Sequence, residues 1–119
     1  MFRQILDELL ATTPGALAAI FLDWEGETVA LTCDRDLSDH SLRILGAYQG
    51  IFLTQLRTIC AQTGAGEPRR FKIEFAGSSV LNYDVRDGYY LVMLLDSASS
   101  ESIAWRRLER CRDRLLTEM

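Results

Sequence analysis

The stretch SDHSLRILGAYQGIFLTQLRTICAQTG, residues 38–64, decides how the rest of the chain is read. It holds no proline, opens on a serine suited to capping a helix, puts Asp39 in the first turn and closes on a glycine. One long helix is predicted. At about 100° per residue, Ile51, Ile44, Tyr48, Ile59, Phe52, Leu45, Leu56, Leu42, Cys60 and Leu53 fill an apolar arc of roughly 200°. A helix lying on one sheet needs little more than about half of that. Gly46 and Gly50 extend the arc as a nearly bare strip, and each costs about 1 kcal/mol in helix propensity, so a packing reason is expected. The helix should therefore be covered twice, by its own sheet and by a second body whose backbone approaches along the glycines.

At 119 residues the chain is expected to form one domain, 1–119, long enough for a core of its own. Its charged fraction of 25% and apolar fraction of 48% are those of a globular protein, which argues against global disorder. A net charge of −4 argues against nucleic acid as a partner, because phosphate contacts want a basic surface. Cys33, Cys60 and Cys111 are too far apart for a zinc pattern, and their odd number suits reduced thiols, so a cytoplasmic location is expected. The start, MFRQILDELL, carries acids where a signal peptide would be apolar, and no apolar run approaches the roughly 20 residues of a membrane span.

In chain order, Phe2, Ile5, Leu6, Leu9 and Leu10 give a short helix over 2–11, ended by Thr13-Pro14-Gly15. Residues 16–22 are apolar without alternation, as in a central strand covered on both faces. A turn at Asp23-Trp24-Glu25-Gly26 returns the chain through 27–33. Beyond the long helix and the loop 65–68, residues 69–76 alternate, with Phe71, Ile73 and Phe75 opposite Arg70, Lys72 and Glu74. This is an edge-strand pattern, with Lys72 guarding against promiscuous pairing. Gly77-Ser78-Ser79 should turn into a strand over 80–86, Asp87-Gly88 is a hairpin signal, and 89–95 is a second central strand. From Glu101 a last helix turns Ala104, Leu108, Cys111 and Leu115 inward. The expected fold is α+β, in the order α-β-β-α-β-β-β-α. Its five-stranded antiparallel sheet, order 2-1-5-4-3, has the long helix on one face and the two terminal helices on the other.

The opening helix FRQILDELL, the hairpin GALAAIFLDWEGETVALT, the helix ILGAYQGIFLTQL and the meander FKIEFAGSSVLNYDVRDGYYLVMLLD together resemble the Roadblock/dynein-light-chain family. The likeness is greatest to its single-domain bacterial members that pair with Ras-like small GTPases. It spans nearly the whole chain. The resemblance implies homo- or heterodimers in which the long helix and third strand of each subunit meet across a two-fold axis, and scaffolds or GTPase regulators without an active site. It points to Gly46, Gly50, Leu53 and Arg57 at the helix seam, and to Phe71, Lys72 and Ile73 on the strand.

Chemistry-bearing groups are few. Asp34, Asp36, Asp39 and His40 form an acidic run, but a calcium loop starting at Asp34 would need glycine where Asp39 stands and glutamate where Leu45 stands. Acids ahead of a helix are explained by its dipole. No strand-to-helix turn presents Ser38 or Ser41 to His40 as a nucleophile, and Gly64-Ala65-Gly66 precedes a strand where a phosphate cradle needs a helix. No catalytic residue, cofactor or metal is therefore assigned. On the last helix Arg106, Arg110 and Arg114 recur at i, i+4 and i+8 with Arg107 beside them. With Trp105 at the edge of the apolar side, they are a candidate docking stripe for an acidic partner or lipid surface.

Two functions remain. The first is a non-enzymatic homodimeric adaptor that regulates a Ras-like GTPase. The alternative is a small-molecule-sensing α/β regulatory domain, which would need a cavity between sheet and long helix that Tyr48, Phe52 and Ile59 are expected to fill.

Overall fold

Eight elements succeed one another in the computed structural model, which describes residues 1–34 and 36–119. They are α1 (Phe2–Thr12), β1 (Ala16–Leu22), β2 (Thr28–Cys33), α2 (Asp39–Thr63), β3 (Arg70–Glu74), β4 (Ser78–Arg86), β5 (Tyr89–Asp96) and α3 (Glu101–Glu118). The strands form one antiparallel sheet in the order β2-β1-β5-β4-β3, as expected.

Local chemistry sets the boundaries. The residue before Pro14 is pushed out of the helical region, and Thr13 is extended, with its hydroxyl donating to the Leu9 carbonyl at 2.7 Å. Ser38 accepts from the Ser41 amide, and Gly64 ends α2 in the left-handed region at φ 70°. Asp87 and Gly88 both have positive φ, 54° and 87°, the requirement of a two-residue turn that follows the twist of its strands. The turn after β3 is tighter than expected. Phe75 donates to the Ser78 carbonyl at 2.7 Å, so Ala76 and Gly77 suffice and both serines join β4.

Alternation sends two side-chain sets to opposite faces. On the α2 side, Leu31, Ile20, Val92, Asn82 and Phe71 form one row across all five strands, and Cys33, Ala18, Leu94, Val80 and Ile73 form the next. On the other face α1 and α3 cover Phe21, Leu81, Tyr83, Leu91 and Met93 with Ile5, Leu6, Leu9, Ala104, Leu108, Cys111 and Leu115. That second core is the larger. In α2, the longest helix, only Leu42, Gly46, Gln49 and Leu53 are buried.

Candidate interaction surface

The way α2 sits on the sheet is set by its two glycines. A Cβ on Gly46 would lie 2.9 Å from Leu22 Cδ2, and one on Gly50 would lie 2.5 Å from the Tyr90 hydroxyl and 3.0 Å from its ring. The Tyr90 hydroxyl donates to the Gly46 carbonyl at 2.9 Å, and burial pushes its phenol up to about 12, so it stays a donor at neutral pH. Gly46, Gly50 and Leu53, expected at the seam, face the chain's own sheet, with Leu22 against Gly46 and the Tyr90 ring of β5 against Gly50. Arg57 is likewise turned inward, its Nη2 donating to Asp84 Oδ1 of β4 at 3.0 Å. Burial raises the Asp84 carboxyl above its ordinary value although Arg57 pulls it back down, the balance expected of a half-buried acid with a single partner.

What remains uncovered lies elsewhere on the arc. Ile44, Tyr48, Ile51 and Ile59 are 46%, 54%, 50% and 53% exposed, on the helix side away from the sheet. Tyr48 and Ile59, expected to fill the space beneath the helix, do not. Leu22, Leu42, Leu53 and Tyr90 fill it instead, and the seam lined by Leu53, Phe71, Asn82 and Tyr90 is closed. Among the described residues, this seam between α2 and the sheet holds no room for the ligand of a small-molecule sensor.

Within that seam Gln49 and Asn82, both 2% exposed, meet at 2.9 Å. Pattern reading passed over this pair, because a glutamine inside an apolar arc carries no signal until its partner strand is known.

Among the described residues strand β3 pairs with β4 alone and leaves its outer ladder open. Phe71 and Ile73, partly buried, lie on the same side of the sheet as α2. Lys72 points to the other side, held by Glu101 at 2.8 Å and Glu74 at 3.4 Å, and these carboxylates raise its pKa. Trp105 is no free anchor. Its indole donates to Glu101, its ring meets Tyr83 edge-on, and Arg70 stacks over it at 4.6 Å. Arg106 and Arg110 are exposed, and Arg114 is paired with Glu8 of α1. Trp24, 62% exposed at the first hairpin tip, packs its ring on Tyr89.

A five-stranded antiparallel sheet of order β2-β1-β5-β4-β3 with one long helix on one face and two helices on the other is the architecture of Roadblock/LC7 domains, and comparison bears this out. The chain superposes on a Roadblock/LC7 domain from Streptomyces avermitilis with a TM-score of 0.89, over 98% of this chain and 95% of that one at 14% identity. It superposes on MglB from Myxococcus xanthus with 0.87, over 98% and 92% at 17% identity. An MglB solved in a tetrameric arrangement gives 0.86, over 96% and 84% at 16% identity. No family model and no curated protein matches the sequence. The chain therefore has the Roadblock/LC7 fold. Among the described residues no helix is long and apolar enough to cross a membrane.

Proposed function

We propose that residues 1–119 form a single Roadblock-type module that dimerises and, without catalysis of its own, regulates a Ras-like small GTPase in the cytoplasm. The observation that carries the reading is the exposed stripe Ile44, Tyr48, Ile51 and Ile59, with Phe71 and Ile73 beside an open strand edge on the same side of the sheet. Apolar side chains gathered on one helical face mark an interaction site, whereas single ones need no explanation. An unpaired ladder next to them can be extended by the same edge of a second copy, which closes both defects at once. The seam residues of this proposal are those of the stripe together with Phe71 and Ile73, while Leu53, Gly46 and Gly50 set the helix height from beneath.

The GTPase partner is supported by the resemblance of the hairpin, helix and meander to bacterial Roadblock proteins, and by superposition on MglB structures. An adaptor of this kind acts by repositioning the GTPase's own catalytic groups, so no arginine finger is assigned. Light scattering of the wild type and of Ile51→Arg provides the test. The wild type should be a dimer and Ile51→Arg a folded monomer. The dimer, which alone hydrolyses no GTP, should change turnover by a small GTPase encoded nearby. A wild type that is monomeric at all concentrations would overturn the seam. A dimer that neither binds the GTPase nor alters its turnover would overturn the regulatory role.

A further inference from the structure

A shallow notch lies between α1 and α3, on the sheet face opposite α2. Ile5, Leu9 and Cys111 floor it, and Arg107, Arg110 and Arg114 rim it. Spaced i, i+3 and i+7, the three arginines share one side of α3. Arg107, one residue from the stripe read in the sequence, is turned into the notch by the helix rotation, and Arg106 is turned out of it.

The charges here are unbalanced in a chain of net charge −4. Among the described residues neither Arg107 nor Arg110 has an ion-pair partner. Most neighbouring acids are engaged elsewhere: Asp7 with Arg3, Asp113 with Arg112, and Glu109 with the Tyr83 hydroxyl. Only Glu8 enters the notch, where its carboxylate sits on Arg114. Cys111 adds no charge, because burial raises its thiol to about 12.

The notch encloses about 80 Å³, far below the roughly 300 Å³ at which ligand pockets begin, so it holds one anionic group and not a nucleotide. Two unpaired guanidiniums match a divalent anion, and a phosphate monoester carries about −1.5 to −2 at neutral pH with oxygens that fit the guanidinium fork. A single carboxylate would leave one arginine uncompensated. A flat anionic membrane suits the surface less well, because the carboxylate of Glu8 lies in the notch itself.

We propose that the α1–α3 notch is a binding site for a phosphate monoester, held by Arg107 and Arg110 with Arg114 in reserve behind Glu8. The site lies on the far side of the sheet from the dimer stripe, so it is independent of the seam and stays accessible in a dimer.

The test is an NMR titration of the full chain, following arginine side-chain N–H resonances. The probes are inorganic phosphate at constant ionic strength, a phosphoserine peptide and its unphosphorylated counterpart. Saturable shifts are expected at Arg107 and Arg110 with the first two probes and not with the third. Tighter binding of the phosphopeptide identifies a partner's modified side chain as the source, and equal binding identifies a free phosphate. Arg107→Gln/Arg110→Gln should weaken binding at least tenfold. Glu8→Gln, which frees Arg114, should strengthen it several-fold, an effect that loss of fold cannot produce. Shifts that stay linear with concentration, persist in the double variant or ignore Glu8→Gln would overturn the proposal.

Discussion

Replacing Gly50 by alanine separates two explanations of the same glycine. If the bare strip served a second subunit, alanine would leave the monomer intact, adding up to about 1 kcal/mol of helix propensity while weakening association. The geometry of the fold requires the opposite. The new Cβ would stand 2.5 Å from the Tyr90 hydroxyl and 3.0 Å from the ring carbon bearing it, so the ring must move or α2 must lift. Overpacking of this kind costs about 1–3 kcal/mol. Shifting the ring also lengthens the hydroxyl's bond to the Gly46 carbonyl, which contributes about another 1 kcal/mol. Against the gain in propensity, the net expectation is a destabilisation of about 1–3 kcal/mol. With a urea slope of about 1–3 kcal/mol per molar, that lowers the denaturation midpoint by roughly 1 M.

Tyr90→Phe supplies the internal control. Alone it loses one hydrogen bond, about 1 kcal/mol, since the Gly46 carbonyl keeps its place in the helix ladder. In that background the closest clash is gone, and Gly50→Ala should cost at least about 1 kcal/mol less than in the wild type, a coupling that only direct contact produces. Urea titrations of the four proteins, at one fixed protomer concentration because association shifts apparent stability, measure the cycle. A Gly50→Ala protein as stable as the wild type, or additive effects of the two substitutions, would refute this placement of the helix.

Two further outcomes follow from the α2 seam. Gln49→Leu leaves the buried Asn82 amide only its long bond to the Val80 carbonyl at 3.5 Å and should cost about 1–3 kcal/mol, most of it recovered in Gln49→Leu/Asn82→Val, because removing both side chains removes the buried amide as well. Arg57→Ala removes the one cation bonded to Asp84 among the described residues and should cost about 1 kcal/mol at pH 7. Its pH dependence has a definite sign. Burial raises the folded carboxyl's pKa above 3.8, so Asp84 favours the folded state below that value, and this contribution is lost as pH rises through the folded pKa. Removing Arg57 raises the folded pKa further, so the variant's deficit should shrink on acidification, read as converging urea midpoints at pH 7 and pH 3.5.

The sheet order was legible because two runs, 16–22 and 89–95, are apolar at every position or nearly so, and strands covered on both faces belong at the centre of a sheet. Hairpin turns then left one arrangement. The helix ends were legible for a similar reason, since Ser38, Pro14 and Gly64 act through local chemistry that tertiary context does not override. The orientation of α2 was not. A 200° arc states that more is apolar than one sheet covers, but it does not say which end of the arc the sheet takes. That depends on Tyr90, forty residues downstream of Gly50, whose hydroxyl needs a buried acceptor and whose ring needs a gap in the helix to reach it. That Arg107 and not Arg106 joins Arg110 and Arg114 at the notch depends on the rotation of α3 against α1, which sequence spacing leaves free.

The surplus on α2 has a reason of dimensions. Twenty-five residues at 1.5 Å each make a helix of roughly 37 Å. Five strands about 4.8 Å apart make a sheet roughly 20 Å wide, and strands of five to nine residues are about 17–30 Å long. Whichever way it crosses, the helix outruns its support, yet its apolar residues continue to the last turns at Ile59 and Cys60. A chain shaped only for its own stability would carry polar residues on that overhang and on the outward positions 44, 48 and 51. Ile51→Arg should therefore leave urea stability of the isolated subunit within about 0.5 kcal/mol, as exposed substitutions do, while abolishing self-association. Equal loss of both would mean that the stripe belongs to this chain's own core, and the interaction surface would have to be sought elsewhere.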